Sequence, residues 1–254
     1  MILLVDCGNT SAKWRLLSPE GELVEERRET DGSFALLRAL LTARGAAQAL
    51  LDVYLANVAG GQAKSSLVQA LDAVEGLRYQ LRAVAVQSEC LGLRIAYQDV
   101  TQLGVDRWLA MLAAYHRSSG ALLLISLGTA VTVDKVGATG EHMGGWIAPG
   151  WRLLKESLAE RTAKLGVASQ VGLVSPDRLG VDTHECLEFG ISAMLLGFIS
   201  RVNAQFGKDV SSKMITGGDA VQALPCLGAE YSLCSGLVLE GLQLYASSVG
   251  TRVA

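Results

Sequence analysis

Residues Leu3-Leu4-Val5-Asp6-Cys7-Gly8-Asn9-Thr10 recur in outline 120 positions later as Leu123-Leu124-Ile125-Ser126-Leu127-Gly128-Thr129-Ala130. In each copy an apolar run of strand length meets a glycine and then small hydroxyl or amide residues. Each continues into a second strand-like run, at 12–17 and 131–136. A Gly-Glu turn follows, Gly21-Glu22 and Gly140-Glu141, now one position out of register. A short motif can recur by chance, but an ordered succession of strand, glycine turn, strand and glycine turn rarely does. Self-similarity of this kind dictates architecture, because each copy must build the same unit. The expectation is an α/β fold made of two copies of one domain, at 1–118 and 119–254. The short join at Ser118-Ser119-Gly120 suggests that they face a shared cleft.

The remaining periodicity fits two such halves. Strands at 2–6, 12–17 and 22–27 form a meander with turns at Gly8 and Pro19-Glu20-Gly21. Phe34, Leu37 and Leu41 predict a helix over 33–43, and Leu67, Leu71 and Val74 predict another over 62–75. Residues 53–56 read as a strand between them. Val105, Leu109, Leu112, Ala113 and His116 stand at helical spacing over 104–118. In the second half, strands at 121–127, 130–136 and 141–147 repeat the meander. Leu187, Ile191, Met194, Leu195, Phe198 and Val202 mark a long helix over 183–206. A strand at 213–216 runs into Gly217-Gly218, and Leu239, Leu242 and Tyr245 mark a helix over 235–248.

Composition removes several classes of function. Half the residues are apolar and 19% are charged, enough for a core and too apolar for a disordered chain. Lys and Arg number 22 against 25 Asp and Glu, so no nucleic-acid partner is expected, since such surfaces need clustered cations. The densest charge cluster, Glu25-Glu26-Arg27-Arg28-Glu29, mixes signs and reads as a solvated strand end. No apolar run approaches the roughly 18–20 residues of a membrane span. The opening Met1-Ile2-Leu3-Leu4-Val5-Asp6 has no basic region of a signal peptide, so a cytoplasmic location without membrane contact is expected. Five cysteines, at 7, 90, 186, 226 and 234, include no C-x-x-C pair and read as buried free thiols. His116, His142 and His184 are too dispersed to form a zinc site.

Five segments could carry chemistry. Asp6-Cys7-Gly8-Asn9-Thr10-Ser11-Ala12-Lys13 ends a strand in a carboxylate and turns through glycine and hydroxyl residues. Such a turn can offer backbone N–H groups to phosphates, with Asp6 toward a cation and Lys13 as a point charge. Taken alone it also reads as an ordinary hairpin. Gly128-Thr129-Ala130-Val131-Thr132 has the same character, and two such turns suit a nucleotide lying between two domains. Asp106 and Arg107 open a helix just after Gly104, where free N–H groups and the dipole favour anions. Asp106 can accept a hydroxyl proton and Arg107 can clamp a carboxylate, or the two are plain helix-start residues. Gly144-Gly145-Trp146-Ile147-Ala148-Pro149-Gly150 and Thr216-Gly217-Gly218-Asp219 permit close backbone approach, the latter to an adenine ring.

Together these segments resemble the type III pantothenate kinases, within the acetate and sugar kinase, heat-shock chaperone and actin superfamily. The likeness spans nearly the whole chain. It rests on Asp6-x-Gly8-Asn9-Thr10-x-x-Lys13, Gly104-x-Asp106-Arg107, Gly128-Thr129-Ala130-x-Thr132-x-Asp134, Gly144-Gly145-x-Ile147-x-Pro149-Gly150, Thr216-Gly217-Gly218-Asp219 and Leu237-x-Leu239-Glu240-Gly241-Leu242, in order. The resemblance implies duplicated actin-like, ribonuclease H-like domains and ATP-dependent phosphorylation of pantothenate to 4′-phosphopantothenate, the first step of coenzyme A synthesis. It implies Asp106 as the catalytic base and Arg107 as the partner of the pantothenate carboxylate. Gly104, Val105, Tyr97, Thr183 and Gly145 are implied on the pantothenate side. Gly8, Asn9, Thr10, Ser11, Lys13, Gly128, Thr129, Gly217 and Gly218 are implied on the ATP side, with Asp6 near Mg²⁺. A homodimer is implied too.

One position departs from the family pattern. Ser126 stands where the family commonly has an acidic residue associated with bound K⁺ or NH₄⁺. A neutral hydroxyl there predicts weaker or altered dependence on a monovalent cation. The competing readings are another small-molecule kinase of the superfamily and a non-catalytic nucleotide-sensing regulator. The joint presence of Asp6, Asp106 and Arg107 speaks against the regulator, because a sensor needs no base.

Overall fold

Strand β1 (Ile2–Cys7) is buried along nearly its whole length, which only an inner strand of a covered sheet can be. A computed structural model, which describes residues 1–45, 50–161 and 173–250, shows that sheet. β1 pairs antiparallel with β2 (Ala12–Leu17), and β2 with β3 (Leu23–Glu29). The chain then passes through helix α1 (Ala35–Ala43) to β4 (Leu50–Asn57), and through α2 (Gly61–Asp72) to β5 (Arg78–Ala83). β4 and β5 add in parallel on the other side of β1, giving the order β3-β2-β1-β4-β5. A small ribbon of β6 (Glu89–Cys90) and β7 (Leu93–Arg94) follows, and then helix α3 (Val105–Arg117).

The second half repeats the pattern. β8 (Leu122–Leu127), β9 (Ala130–Val136) and β10 (His142–Pro149) form the meander, followed by α4 (Trp151–Arg161) and α5 (Thr183–Phe206). Then come β11 (Ser212–Thr216), the short α6 (Ala220–Ala223), β12 (Tyr231–Leu233) and α7 (Leu237–Gly250). The strand order is β10-β9-β8-β11-β12, the same as in the first sheet. Even the second turns match. Ser18 N–H donates to Glu22 O at 2.9 Å, as Gly137 N–H does to Glu141 O at 2.8 Å. Gly21 and Gly140 close those turns at φ of 88° and 83°, the left-handed region that glycine alone enters without strain. This is the duplicated actin-like, ribonuclease H-like architecture.

The first turns locate the slip in the repeat. Cys7 pairs with Ala12, which leaves Gly8, Asn9, Thr10 and Ser11 between them. Leu127 pairs with Val131, which leaves only Gly128, Thr129 and Ala130. One residue is missing from this turn in the second copy, so the strand after it and the next glycine turn run one position short.

Contacts divide the chain into two units, and α7 alters the expected division. The first unit takes Met1–Leu91, Tyr97–Ala113 and the chain from Leu237, whereas the second takes Gly92–Ala96 and Ala114–Gly236. They are therefore not two consecutive stretches parted between 118 and 119.

In the first unit, alternation along the strands sends Leu3, Val5, Cys7, Trp14, Leu16, Val53 and Leu55 into a core with Leu37, Leu41, Leu67 and Leu71 of α1 and α2. Glu29 is buried here, yet its carboxylate takes the indole N–H of Trp14 at 2.7 Å and the first-turn N–H groups of Leu36 and Leu37. It thereby caps α1, whose own N-cap residue Phe34 offers no side-chain acceptor. The opposite face carries Leu4, Asp6, Tyr54 and Ala56, and α7 packs on β1, β2 and β4. Tyr245 of α7 meets the rings of Tyr54 and Trp108 edge-on, and Gly241 lets α7 approach the Leu109 carbonyl of α3 closely. In the second unit, Leu123, Ile125, Val131 and Val133 pack with Ile191, Leu195, Ile199 and Val202 of α5.

All five cysteines are free, but Cys186 is exposed and Cys226 half-buried rather than buried. Among the described residues no helix is long and apolar enough to cross a membrane.

Candidate active site

In the first unit the strand period turns Asp6 away from Val5 and Cys7, onto the face that carries Leu4. Asp6 is only 8% exposed and lies directly across the ladder from Lys13. Burial raises its carboxyl to about 6. Lys13 opposes that rise, and the charge of Asp106 adds to it. Burial and Asp6 push the neighbouring Cys7 thiol up to about 12, which disfavours its thiolate. The Gly8 N–H is spent inside the turn on Ser11 O at 3.1 Å, which leaves Asn9 and Thr10 exposed at the tip. The Ser11 hydroxyl accepts from Arg28 Nε at 3.0 Å.

Asp106 and Arg107 stand in the first turn of α3. Before it, Asp99 caps a single 3-10 turn at Val100–Gln102, accepting the Thr101 N–H at 3.0 Å. Asp106 Oδ1 accepts the backbone N–H of Arg107 at 2.8 Å and swings over Gly104. A Cβ on Gly104 would stand 2.5 Å from that oxygen, so glycine makes the space the carboxylate occupies. Arg107 is 7% exposed, and its Nη1 donates to the Tyr97 hydroxyl at 3.3 Å. The Val105 side chain is buried and can offer a ligand only its backbone. The first unit therefore assembles Asp6, Lys13 and Asp106 by their charges, and Tyr97 with Arg107 by a hydrogen bond.

In the second unit, Ser126 takes the place of Asp6, with Thr132 across from it and Thr216 beside it on β11. The Gly128 N–H is spent on Ala130 O at 3.1 Å, and Thr129 is exposed at the tip. Gly217, at φ 101°, leaves no room for a side chain. Its Cβ would stand 2.0 Å from Leu127 O, and that same oxygen accepts the Asp219 N–H at 3.1 Å. The two glycine segments are thus in direct contact. Beside them lies an apolar recess of about 380 Å³, counting its open mouth. Leu127, Gly128, Trp151 and Leu195 line it, with Asp219 and Gln222 as polar members. Sequence reading missed Trp151 and Leu195 as site residues, because nothing in their spacing sets them apart from ordinary helix residues.

The glycine-rich segment from Gly144 is strand as far as Pro149, and so is not a loop. A bulge between His142 and Gly145 absorbs Gly144 at φ 98°. Gly145 is exposed on this strand. Thr183 is exposed at the first position of α5, which Asp182 caps by accepting the Glu185 N–H at 2.8 Å. Both belong to the second unit, whereas Tyr97, Asp106 and Arg107 belong to the first. Among the described residues no three His, Cys, Asp or Glu side chains cluster as a metal cage.

Comparison with known proteins gives a consistent result. A family model described as type III pantothenate kinase matches residues 2–205. A type III pantothenate kinase of Marinobacter nauticus is 35% identical over 251 residues, 98% of this chain and 99% of that one. One of Ectopseudomonas mendocina is 36% identical over 225 residues, 87% of this chain and 89% of that one. Among solved structures, a Sinorhizobium meliloti protein described as a 2-dehydro-3-deoxygalactonokinase superposes with a TM-score of 0.65 at 15% identity, over 100% of both chains. A Campylobacter jejuni protein described as a Baf family transcriptional activator gives 0.56 at 19% identity, over 98% of this chain and 99% of that one. Likeness at such low identity speaks to the fold, and it agrees with the duplicated architecture.

Proposed function

The chain belongs to the type III pantothenate kinase family, and from that premise we infer that it phosphorylates the primary hydroxyl of pantothenate with ATP. The product is 4′-phosphopantothenate, at the first step of coenzyme A synthesis. Phosphoryl transfer passes through a loose transition state, so positioning and charge neutralisation do most of the work. Asp106 orients the attacking hydroxyl and takes its proton late, as the new P–O bond makes that proton acidic. An ordinary carboxylate suffices for this. Arg107, with Tyr97 beside it, holds the pantothenate carboxylate, while Thr183 and Gly145 supply further pantothenate contacts.

The first turn, Gly8 to Ser11 with Lys13, offers donors and one positive charge to phosphate oxygens. In the second unit, Gly128, Thr129, Gly217 and Gly218 offer backbone close to the recess, whose apolar lining suits a purine ring. The residues present fit a divalent cation at Asp6. A carboxylate destabilised by burial, and further by the charge of Asp106, is relieved by one. Mg²⁺ commonly takes one or two carboxylates and completes its shell with water and phosphate oxygens, so no larger cage is needed. When bound, it neutralises charge on the phosphates. Ser126 offers only a neutral oxygen to a monovalent cation, so K⁺ or NH₄⁺ is expected to matter little. A homodimer and a cytoplasmic location complete the reading.

The observation that supports this reading best is the buried Asp6, facing Lys13 across the ladder and near enough to Asp106 to feel its charge. The test is ADP release with pantothenate, acetate or hexoses as acceptor. Release that needs pantothenate is expected. Equal release with acetate or a hexose would reassign the substrate.

A further inference from the structure

A buried ion pair joins α4 to α5 in the second unit. Lys155 Nζ donates to Glu188 Oε1, and the two side chains are 4% and 3% exposed. Lys155 Nζ also stands 4.7 Å from the centre of the Trp151 ring, one turn earlier on α4. His184 Nδ1 lies 3.9 Å from the same Glu188 oxygen. The other oxygen, Oε2, is buried and has no hydrogen-bond partner among the described residues. Such a pair is a poor source of net stability, because desolvating two charges offsets their attraction. A well-packed apolar pair would hold the helices as firmly. An ion pair differs from an apolar contact in being directional. It fixes one rotation and one register of α4 on α5, where apolar side chains permit sliding.

The other end of α4 explains why its placement matters. Gly150, just before the helix, donates its N–H to Thr129 O at 3.0 Å. A Cβ at Gly150 would stand 2.0 Å from Gly128 O, so the start of the helix is pressed onto the second glycine turn. Leu154 N–H returns to Gly150 O at 2.9 Å and ties the first helical turn to that contact. Trp151, held under Lys155, is also a wall of the recess beside Gly128. Among the described residues, α5 is the main partner of α4. Any rotation of α4 would therefore move the glycine turn and the recess wall together.

We propose that Lys155 and Glu188 are positioning residues for the nucleotide, setting α4 and, through it, the Gly128-Thr129 turn and the Trp151 wall. The proposal rests on the reading that this turn and recess take ATP. The double variant K155M/E188L keeps the volume and removes both charges. It is expected to melt close to the parent temperature and to keep its pantothenate KM, while its ATP KM rises about tenfold, as displaced positioning groups can cost that much or more. An intact melting temperature with an unchanged ATP KM would overturn the proposal.

E188Q keeps the shape and an oxygen for Lys155, and it serves if the double variant does not fold. It should raise the ATP KM by a smaller factor and spare the pantothenate KM. A rise confined to pantothenate, or no change in either, would overturn the proposal. Thr129→Ala separates the premise from the tie. If it leaves the ATP KM unchanged, the reading of the turn fails. If it raises the ATP KM while a well-folded K155M/E188L does not, only the tie fails.

Discussion

At the end of the central strand of the first sheet stands Asp6, with Lys13 across the ladder; at the same place in the second sheet stands Ser126, with Thr132 across. The strand registers agree, as do the hydrogen bonds of the second turns, although the first turn is one residue shorter in the second copy. The second copy shows that this fold needs the glycine and the strand register at that spot, but needs no charge. The buried carboxylate of the first copy is therefore a burden on folding that the fold itself does not require. Near it are Asp106 and Lys13, whose charges act on it. Near Ser126 are hydroxyls, close-packed glycines and an apolar recess. One half concentrates charge and the other offers a neutral surface.

Four substitutions would break or sharpen that contrast. The largest effect is expected from Asp106→Asn, which should lower kcat about 10²–10⁴-fold, the span of general-base removal. Steady-state rates checking this must show a large loss, and a near-normal kcat would exclude the role.

Asp6→Asn gives the first turn the neutrality of the second. It should abolish most activity yet stabilise the metal-free protein at pH 8 by up to about 3 kcal/mol. The folded carboxyl, at about 6, lies above its ordinary 3.8, so the folded state holds the proton more tightly. Wild-type stability should thus fall as pH rises through that window, and the advantage of the variant should vanish near pH 4. Urea midpoints in a chelator at both ends of the range read this out. An advantage independent of pH would mean that the Asp6 charge is not the cause.

Arg107→Ala should raise the pantothenate KM about 10–100-fold, the worth of a hydrogen bond to a charged group, with a smaller change in kcat. An unchanged KM counts against the clamp. Ser126→Asp has the smallest effect. The wild-type rate should respond little to exchanging NaCl for KCl or NH₄Cl, and the variant should respond more steeply. Steep activation of the wild type by K⁺ would show that Ser126 does not blunt the cation site.

Much of this organisation was legible in the sequence because it is written in local patterns. The meanders, α3 and α5 follow from alternation, glycine turns and helical spacing. What escaped depends on tertiary context. Strand β5, Arg-Tyr-Gln-Leu-Arg-Ala, is a half-exposed edge with only weak alternation. Helix α4 carries a weak apolar stripe and hides directly behind Pro149-Gly150. Lys155 and Glu188 are 33 positions apart and look like surface residues until α4 and α5 meet. At the site, the glycine turns and the Asp106-Arg107 pair stood out by residue type. The recess did not, because Trp151 and Leu195 differ in no local way from core residues. The missing turn residue in the second copy was visible only as a register slip further on, and pairing places it between Leu127 and Val131.

Helix α7 follows the whole second unit along the chain, yet it lies against β1 of the first. Until α7 is made, the first sheet must wait with Leu4, Tyr54 and Ala56 uncovered by it, a greasy surface that chaperones are suited to shield. Loss of α7 would therefore harm the first unit before the second, although the second is its nearer neighbour along the chain.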